Sequence, residues 1–106
     1  MRRREKAELA ATLWVAMEEC EPMADAVKDA EGRRPEDYRV KVTIGEFEPP
    51  NWDGVHTASL VLDLATGKLI MAAAERIIRE RLVEIGEMDK SELAATPAFT
   101  RGADHA

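Results

Sequence analysis

The sequence contains few of the residues from which catalytic centres, metal sites and disulfides are built. It has one cysteine, Cys20, and two histidines, His56 and His105. A single cysteine cannot form an internal disulfide, and no cysteines and histidines stand at the spacing of a zinc site. Gly67 and Lys68 alone do not make a phosphate-binding glycine loop. We therefore expect no cofactor, no metal and no enzymatic activity.

Long apolar runs and an excess of basic residues are also missing. No uninterrupted apolar stretch reaches the length that spans a membrane. The basic residues 1–6 are followed by Glu8 and a helical pattern instead of an apolar signal core, so no secretory signal is expected. The net charge of −6 disfavours a strongly basic nucleic-acid binder. The cytoplasm is the expected location, in agreement with the single cysteine.

Aromatic residues are scarce, with two tryptophans, one tyrosine and two phenylalanines in 106 residues. The hydrophobic content of 45% is still enough for a core, which must be built mainly from Ala, Leu, Ile, Val and Met. The length suits one domain. We expect a single α+β domain over residues 1–88, with a basic arm at 1–4. Residues 89–106 are expected to form a short helical turn and a loose tail.

Residues 55–86 predict a strand that leads directly into a long helix. Alternation along the strand gives one largely apolar face, made of His56, Ala58, Leu60, Leu62 and Leu64. The helix has a wide apolar arc at the 3.6-residue period, made of Leu69, Ile70, Ala73, Ala74, Ile77, Ile78, Leu82 and Ile85. The opposite, polar side holds Glu75, Arg76 and Arg79. Gly86 predicts the end of the helix, and Asp63 or Thr66 its N-cap.

The preceding part of the chain predicts a helix over residues 5–31 and a strand over 37–47. The helix has an apolar stripe of Leu9, Leu13, Met17, Cys20, Ala24 and Val27. Pro22 lies opposite the stripe and either kinks one helix or begins a second; we favour two bent segments. In the strand, one face holds Tyr38, Val40, Val42 and Ile44, and the other holds Arg39, Lys41, Thr43 and Gly45. Two prolines and an Asp-Gly pair predict a loop over residues 48–54.

These elements predict an α+β fold, in which a long N-terminal helix and a C-terminal helix pack on one face of an antiparallel β-hairpin. Residues 66–68 either begin the second helix or form a tight turn, which would make residues 68–72 a third strand. A two-stranded sheet is marginal alone, and its edges stay open for pairing. We therefore expect a homodimer. The two copies would pair through the edges of their sheets, through the open sheet face of Arg39, Lys41 and Thr43, or through Trp14 on the first helix.

The first helix carries the main candidate site. Between residues 18 and 37, eight acidic residues stand against three basic ones, a local net charge of −5. Four of the acids share one side of the helix and are called the acidic face here: Glu18, Glu21, Asp25 and Asp29. This face is interpreted as a solvated surface, as a docking surface for a basic partner (including mimicry of a nucleic-acid backbone), or as a divalent-metal site. Metal ligands normally converge from loops or several elements, which one straight helix does not provide.

Other candidate residues lie outside the acidic face. Trp52 in the predicted loop is either a binding anchor or a cap on the core. Arg81 falls within the apolar arc, with Glu84 nearby on the same side. It either extends its guanidinium to water, or pairs with Glu84, or binds an anion in a pocket or interface. Asp53, His56 and Asp63 would form a small enzymatic site if the fold brought them together near one end of the sheet.

The three-strand alternative has Thr66-Gly67-Lys68 before Ala72-Ala73-Ala74, and over residues 37–86 it resembles the double-stranded RNA-binding domain. The resemblance implies RNA binding at the start of the last helix, where this chain has Lys68. Further phosphate contacts would come from Arg39, Lys41 and the arm Arg2-Arg3-Arg4. The size, acidity and lack of catalytic groups are also similar to small phage or mobile-element accessory proteins that inhibit a host machine by contact.

The sequence favours a small acidic non-catalytic binding protein, of regulator or inhibitor type. It would dock with the acidic face on a basic surface of a protein partner, with Trp52 as an apolar anchor. The alternatives are the nucleic-acid-binding module and a small enzyme with a site near His56. Binding that is steered by charge weakens as the salt concentration rises.

Overall fold

The structure, a computed structural model, describes residues 2–48, 51–94 and 97–99, and at residues 47, 48, 51–57 and 94 it describes the backbone only. The main elements in chain order are α1 (Arg3–Gly32), β1 (Arg39–Glu48), β2 (Asn51–Asp63) and α2 (Leu64–Glu84). Two short 3₁₀ helices are added, at Pro35–Asp37 and Lys90–Ala94. The predicted α+β fold, with a long helix, an antiparallel hairpin and a second helix packed together, is confirmed.

Helix α1 is continuous through Pro22, so the prediction of two segments is wrong. Pro22 lacks the N–H that would bond to the carbonyl of Glu18 four residues earlier. Both residues are exposed, and on this side water can satisfy the freed carbonyl. The helix is held by its other side, where the predicted stripe is buried or half-buried along its whole length. Packing of that stripe keeps the helix in phase on both sides of the proline.

Strands β1 and β2 form a two-stranded antiparallel sheet. The pairs Val40–Leu62 and Val42–Leu60 confirm the two predicted faces. The predicted loop at 48–54 is wrong, because Glu48 pairs with Asn51 and the ladder continues towards the tip past two register irregularities. The strand also begins two residues later than predicted, after the 3₁₀ helix Pro35–Asp37.

The helices cover only the base of the apolar sheet face. Val40 and Leu62 are half-buried, whereas Ile44 is 71% exposed and Leu60 is 56% exposed. The helices therefore pack on the predicted face but cover only part of it. The outer half of the hairpin leaves apolar side chains exposed to solvent.

Helix α2 begins at Leu64, so Thr66, Gly67 and Lys68 lie in its first turns and the third-strand alternative is wrong. The carboxylate of Asp63 caps the helix by accepting a hydrogen bond from the backbone N–H of Thr66 at 3.1 Å. At the other end, Gly86 has a φ of +77°, as predicted for the residue that terminates a helix.

The N-cap gives the stability of α2 a pH dependence. Hydrogen bonds from Thr66 lower the pKa of Asp63, and the positive charge of Arg39 lowers it further. Because the folded state holds the charged carboxylate more tightly than the unfolded state, this stabilisation is complete above the ordinary carboxyl pKa. It is lost as the pH falls through the lowered folded-state pKa.

We therefore expect Asp63→Ala to lower the urea midpoint at pH 7 and to matter progressively less as the pH is lowered through the acid range. Asp63→Asn is the matched control, because asparagine also caps helices but carries no charge. Its midpoint should lie between those of the wild type and Asp63→Ala. Equal midpoints for the wild type and Asp63→Ala at pH 7 would show that this cap does not stabilise the fold.

The two helices run antiparallel and pack along one seam. Lys68 pairs with Glu31 near one end, and Glu75 lies beside Cys20 farther along, so the numbering rises on one helix as it falls on the other. The buried side of α2 consists of Leu64, Gly67, Glu75 and Leu82, with Met71 and Ile78 half-buried. These positions recur every three or four residues, which is the spacing of a helix–helix seam.

The predicted orientation of α2 about its own axis is wrong by about 100°, the rotation between one residue and the next in a helix. Leu69 is 73% exposed and Ile77 is 54% exposed, whereas Glu75 is fully buried. Gly67 accounts for this rotation, because its backbone lies directly against the side chain of Val40. The apolar arc of α2 is broad enough for two orientations, and the contact with β1 selects the one that turns Glu75 inward.

The segment after α2 returns to the core. The predicted helical turn is present as the 3₁₀ helix Lys90–Ala94. Phe99 is only 6% exposed and clusters with Cys20, Val27 and Leu64. The prediction of a loose tail from residue 98 is therefore wrong for Ala98 and Phe99, and residues 100–106 lie outside the described residues.

Candidate functional site

The acidic face lies on the outer side of α1. Its four side chains are all exposed. From residue 18 to residue 29 the helix rises by about 16 Å, so the carboxylates form a row rather than a cluster. The side of α1 that packs against α2 carries Cys20 and Val27 and points away from this row. The fold thus presents the acidic face to solvent and leaves it accessible to a large partner.

One ion pair at the acidic face is largely exposed to water. Asp29 pairs with Arg33 at 3.1 Å, one turn later on the helix, and the two side chains are 62% and 68% exposed. Ion pairs of this type contribute little to stability, because water and salt screen them. A basic partner can therefore replace Arg33 at little cost in free energy.

A cleft of about 120 Å³ borders the acidic face on the side of α2. Glu21 and Asp25 line it, together with the ion pair between Lys68 Nζ and Glu31 Oε2 at 3.1 Å. Ala98 and Phe99 of the C-terminal segment close its far wall. The acidic face is therefore continuous with the surface where the C-terminal segment packs.

The basic residues of the nucleic-acid alternative do not form one surface. Arg39 donates hydrogen bonds to the carbonyls of Glu36 and Tyr38 at 2.7 and 2.8 Å. Arg39 and Lys41 line a different cleft from the one that contains Lys68. The basic N-terminal arm is also partly paired, since Arg4 contacts Glu8 at 3.3 Å.

The structure also describes some of the other candidate residues from the sequence. Arg81 is exposed, because the rotation of α2 carries it away from the packed seam. His56 and Asp63 are seven residues apart in β2, about 23 Å along the strand, so the fold does not bring them together at one end of the sheet. The side chains of Asp53, His56 and Trp52 lie outside the described residues.

The sequence reasoning missed a buried ion pair between Glu75 and Arg79. Glu75 is fully buried, and its carboxylate accepts hydrogen bonds from the backbone N–H of Ala98 at 2.9 Å and of Phe99 at 3.3 Å. Arg79 Nη2 lies 3.5 Å from Glu75 Oε2, and Nη1 donates to the carbonyl of Glu92 at 3.2 Å. The seam spacing that joins Leu64, Met71, Glu75, Ile78 and Leu82 was the signal that could have identified this inward position.

Cys20 faces Glu75 across the seam. Burial raises the pKa of its thiol, the negative charge of Glu75 raises it further, and Arg79 partly opposes the shift. The thiol is therefore protonated at neutral pH, which makes it a weak nucleophile. Among the described residues, no three His, Cys, Asp or Glu side chains are grouped in a way that could hold a metal ion.

No protein-family model, curated protein or solved structure matches this chain. The fold is an antiparallel helix pair joined through a two-stranded hairpin. In the described parts of the chain, no helix is long and apolar enough to cross a membrane.

Proposed function

We propose that this chain is a non-catalytic binding protein of the cytoplasm, a regulator or inhibitor that docks through the acidic face onto a basic surface of a protein partner. The observation that carries the proposal is the exposed row of carboxylates on α1, directed away from the seam. The row is about 16 Å long. The electric field of these carboxylates attracts positively charged surfaces and raises the rate at which the protein meets a basic partner.

The test replaces Glu18 and Glu21 by Gln and Asp25 and Asp29 by Asn, and uses this variant as bait in a nuclease-treated pull-down from native lysate. We expect the wild type to retain a basic protein partner that the variant loses. The matched control neutralises four exposed acids elsewhere, namely Glu46, Glu84, Glu87 and Asp89. It changes the net charge equally, so it should retain the partner.

Salt dependence provides the second readout of the same experiment. Exposed charges are screened over about 10 Å at 0.1 M salt, so capture by the wild type should fall steeply between low and moderate salt. Equal capture by all three baits would assign the acidic face to solvation and contradict the proposal. Loss of capture by both neutralised baits would show that net charge is responsible, and not this face.

We further propose that the chain forms a homodimer through the exposed stripe of α2. Within the described residues, more large hydrophobic side chains are exposed than buried, and Leu69, Ile70 and Ile77 lie together on one side of α2. Ala73 and Ala74 separate them, and small residues allow a second helix to approach closely. A twofold axis near these alanines would place Leu69 of one copy opposite Ile77 of the other, a self-complementary contact. The second copy does not cover the acidic face in such a dimer, because that face lies on the other helix.

Light scattering over a range of concentrations tests this dimer. We expect the wild type to have the dimer mass and Leu69→Glu/Ile77→Glu to have the monomer mass, because charged side chains would be buried without partners at the contact. Val15→Glu is the control, since Val15 is 44% exposed on α1, outside the stripe. A monomer mass of the wild type at all concentrations would contradict the dimer.

A further inference from the structure

The C-terminal segment occupies a groove between α1 and α2. Phe99 inserts its side chain next to Cys20 and Val27 of α1 and Leu64 of α2. Residues 97–99 reach this position from the far end of α2, after the 3₁₀ helix Lys90–Ala94. The aromatic ring therefore completes a seam between two helices that come from the other part of the chain.

Glu75 holds this segment by its backbone. Its two carboxylate oxygens accept the N–H groups of Ala98 and Phe99, one each. A charged group is unfavourable inside a seam whose neighbouring positions are Met71 and Ile78, unless hydrogen bonds and an opposite charge compensate it. Here Arg79 supplies the charge and the two backbone N–H groups supply the bonds. The arrangement recognises a main chain, so any segment with the same backbone geometry can make these bonds.

Three separate hollows at the surface adjoin the segment. A hollow of about 180 Å³ adjoins Phe99 on the side of Cys20 and Glu75. Another, of about 120 Å³, adjoins Ala98 and Phe99 on the side of Lys28 and Lys68. A third, of about 270 Å³, adjoins Pro97 beside Arg79. The contacts that hold the segment include the Phe99 ring in the seam and the two backbone hydrogen bonds to Glu75.

We propose that the groove around Glu75 is a docking site for a short peptide segment that carries an aromatic side chain in the same 3₁₀ turn as Ala98 and Phe99, and that residues 97–99 are its resident occupant. The aromatic ring fills the space between the helices, and Glu75 binds the N–H groups of that residue and the one before it. The resident segment competes with an incoming one. Binding of a partner through this groove is thereby coupled to release of the chain's own C-terminal segment.

The test uses the full chain and a fluorescent peptide that copies residues 95–102. Phe99→Ala in the protein disengages the resident ring, so this variant should bind the peptide saturably. The wild type should bind it at least about ten-fold more weakly, because only the fraction of molecules with an open groove is competent. A peptide with the Phe99→Ala change should not bind. Adding Glu75→Gln to the Phe99→Ala protein should weaken binding, because glutamine keeps the size of the side chain but has only one acceptor oxygen.

Three outcomes would overturn this proposal. The first is equal peptide affinity of the wild type and Phe99→Ala. The second is no binding to a Phe99→Ala protein with a wild-type circular dichroism spectrum. The third is peptide affinity that Glu75→Gln leaves unchanged. The variant with the four acids of the acidic face neutralised keeps the seam intact. It should bind the peptide like the wild type after Phe99→Ala is added, so the two proposals fail independently.

Hydrogen exchange of the wild type keeps the test valid if Phe99→Ala does not fold. A releasable occupant opens locally, at a lower free energy than the seam. The amides of Ala98 and Phe99 should then exchange about 100-fold faster than that of Leu82, whose side chain is fully buried. Equal protection of these amides would show that the segment is a fixed part of the core, and would contradict the proposal.

Discussion

Gly67→Ala is expected to lower the free energy of unfolding by about 1 to 3 kcal/mol or more, because it overpacks the contact between α2 and β1. A Cβ atom at this position would overlap the side chain of Val40. Val40 is bonded into the ladder opposite Leu62 and cannot move away without shifting the strand. The alanine must therefore push α2 off the sheet, which opens the seam behind it.

Gly32→Ala is the matched control for this substitution. Gly32 is also helical, and a Cβ atom there has no neighbour within 4 Å. Alanine has the higher helix propensity by up to about 1 kcal/mol, so Gly32→Ala should leave stability unchanged or raise it. Urea unfolding followed by circular dichroism measures both variants. If Gly67→Ala were as stable as Gly32→Ala, the helix would not rest against Val40.

Glu75→Leu is expected to have the largest effect on stability, a loss of about 3 to 5 kcal/mol. The substitution leaves Arg79, whose side chain is 12% exposed, without its counter-charge. It also removes the acceptor of the Ala98 and Phe99 N–H groups. Adding Arg79→Leu should restore part of the lost stability, because the unpaired charge is then gone.

The neighbouring pair Arg76–Glu80 provides the control. It has the same spacing along the helix, and its side chains are 80% and 47% exposed. Glu80→Leu should change the free energy of unfolding by less than about 1 kcal/mol, the ordinary contribution of an exposed ion pair. Equal losses for Glu75→Leu and Glu80→Leu would mean that the Glu75 carboxylate is not buried in the seam.

The elements of this fold could be predicted because their patterns are local. The stripe through Leu13, Cys20 and Val27 and the alternation at Val40 and Val42 follow from helix and strand periods alone. The rotation of α2 could not be obtained in this way. Its arc contains enough apolar residues for two orientations, and the choice depends on the contact of Gly67 with Val40, between elements distant in sequence.

The acidic face could be predicted for the same reason, since residues three and four apart always share one side of a helix. The groove around Glu75 could not be predicted from the sequence. Glu75 has the character of a surface residue in the sequence, and its partners Ala98 and Phe99 lie more than 20 residues later. A buried carboxylate that binds backbone N–H groups has no sequence signature, because any residue except proline can supply the donor.

Zero-length carbodiimide cross-linking in native lysate tests the central claim most directly. The reagent joins a carboxylate to a lysine amine only where the two are in contact, and mass spectrometry then identifies both residues. We predict cross-links from lysines of a basic protein to Glu18, Glu21, Asp25 or Asp29, and their loss at high salt. Cross-links confined to carboxylates outside the acidic face, with these four residues unmodified by any partner, would contradict the account.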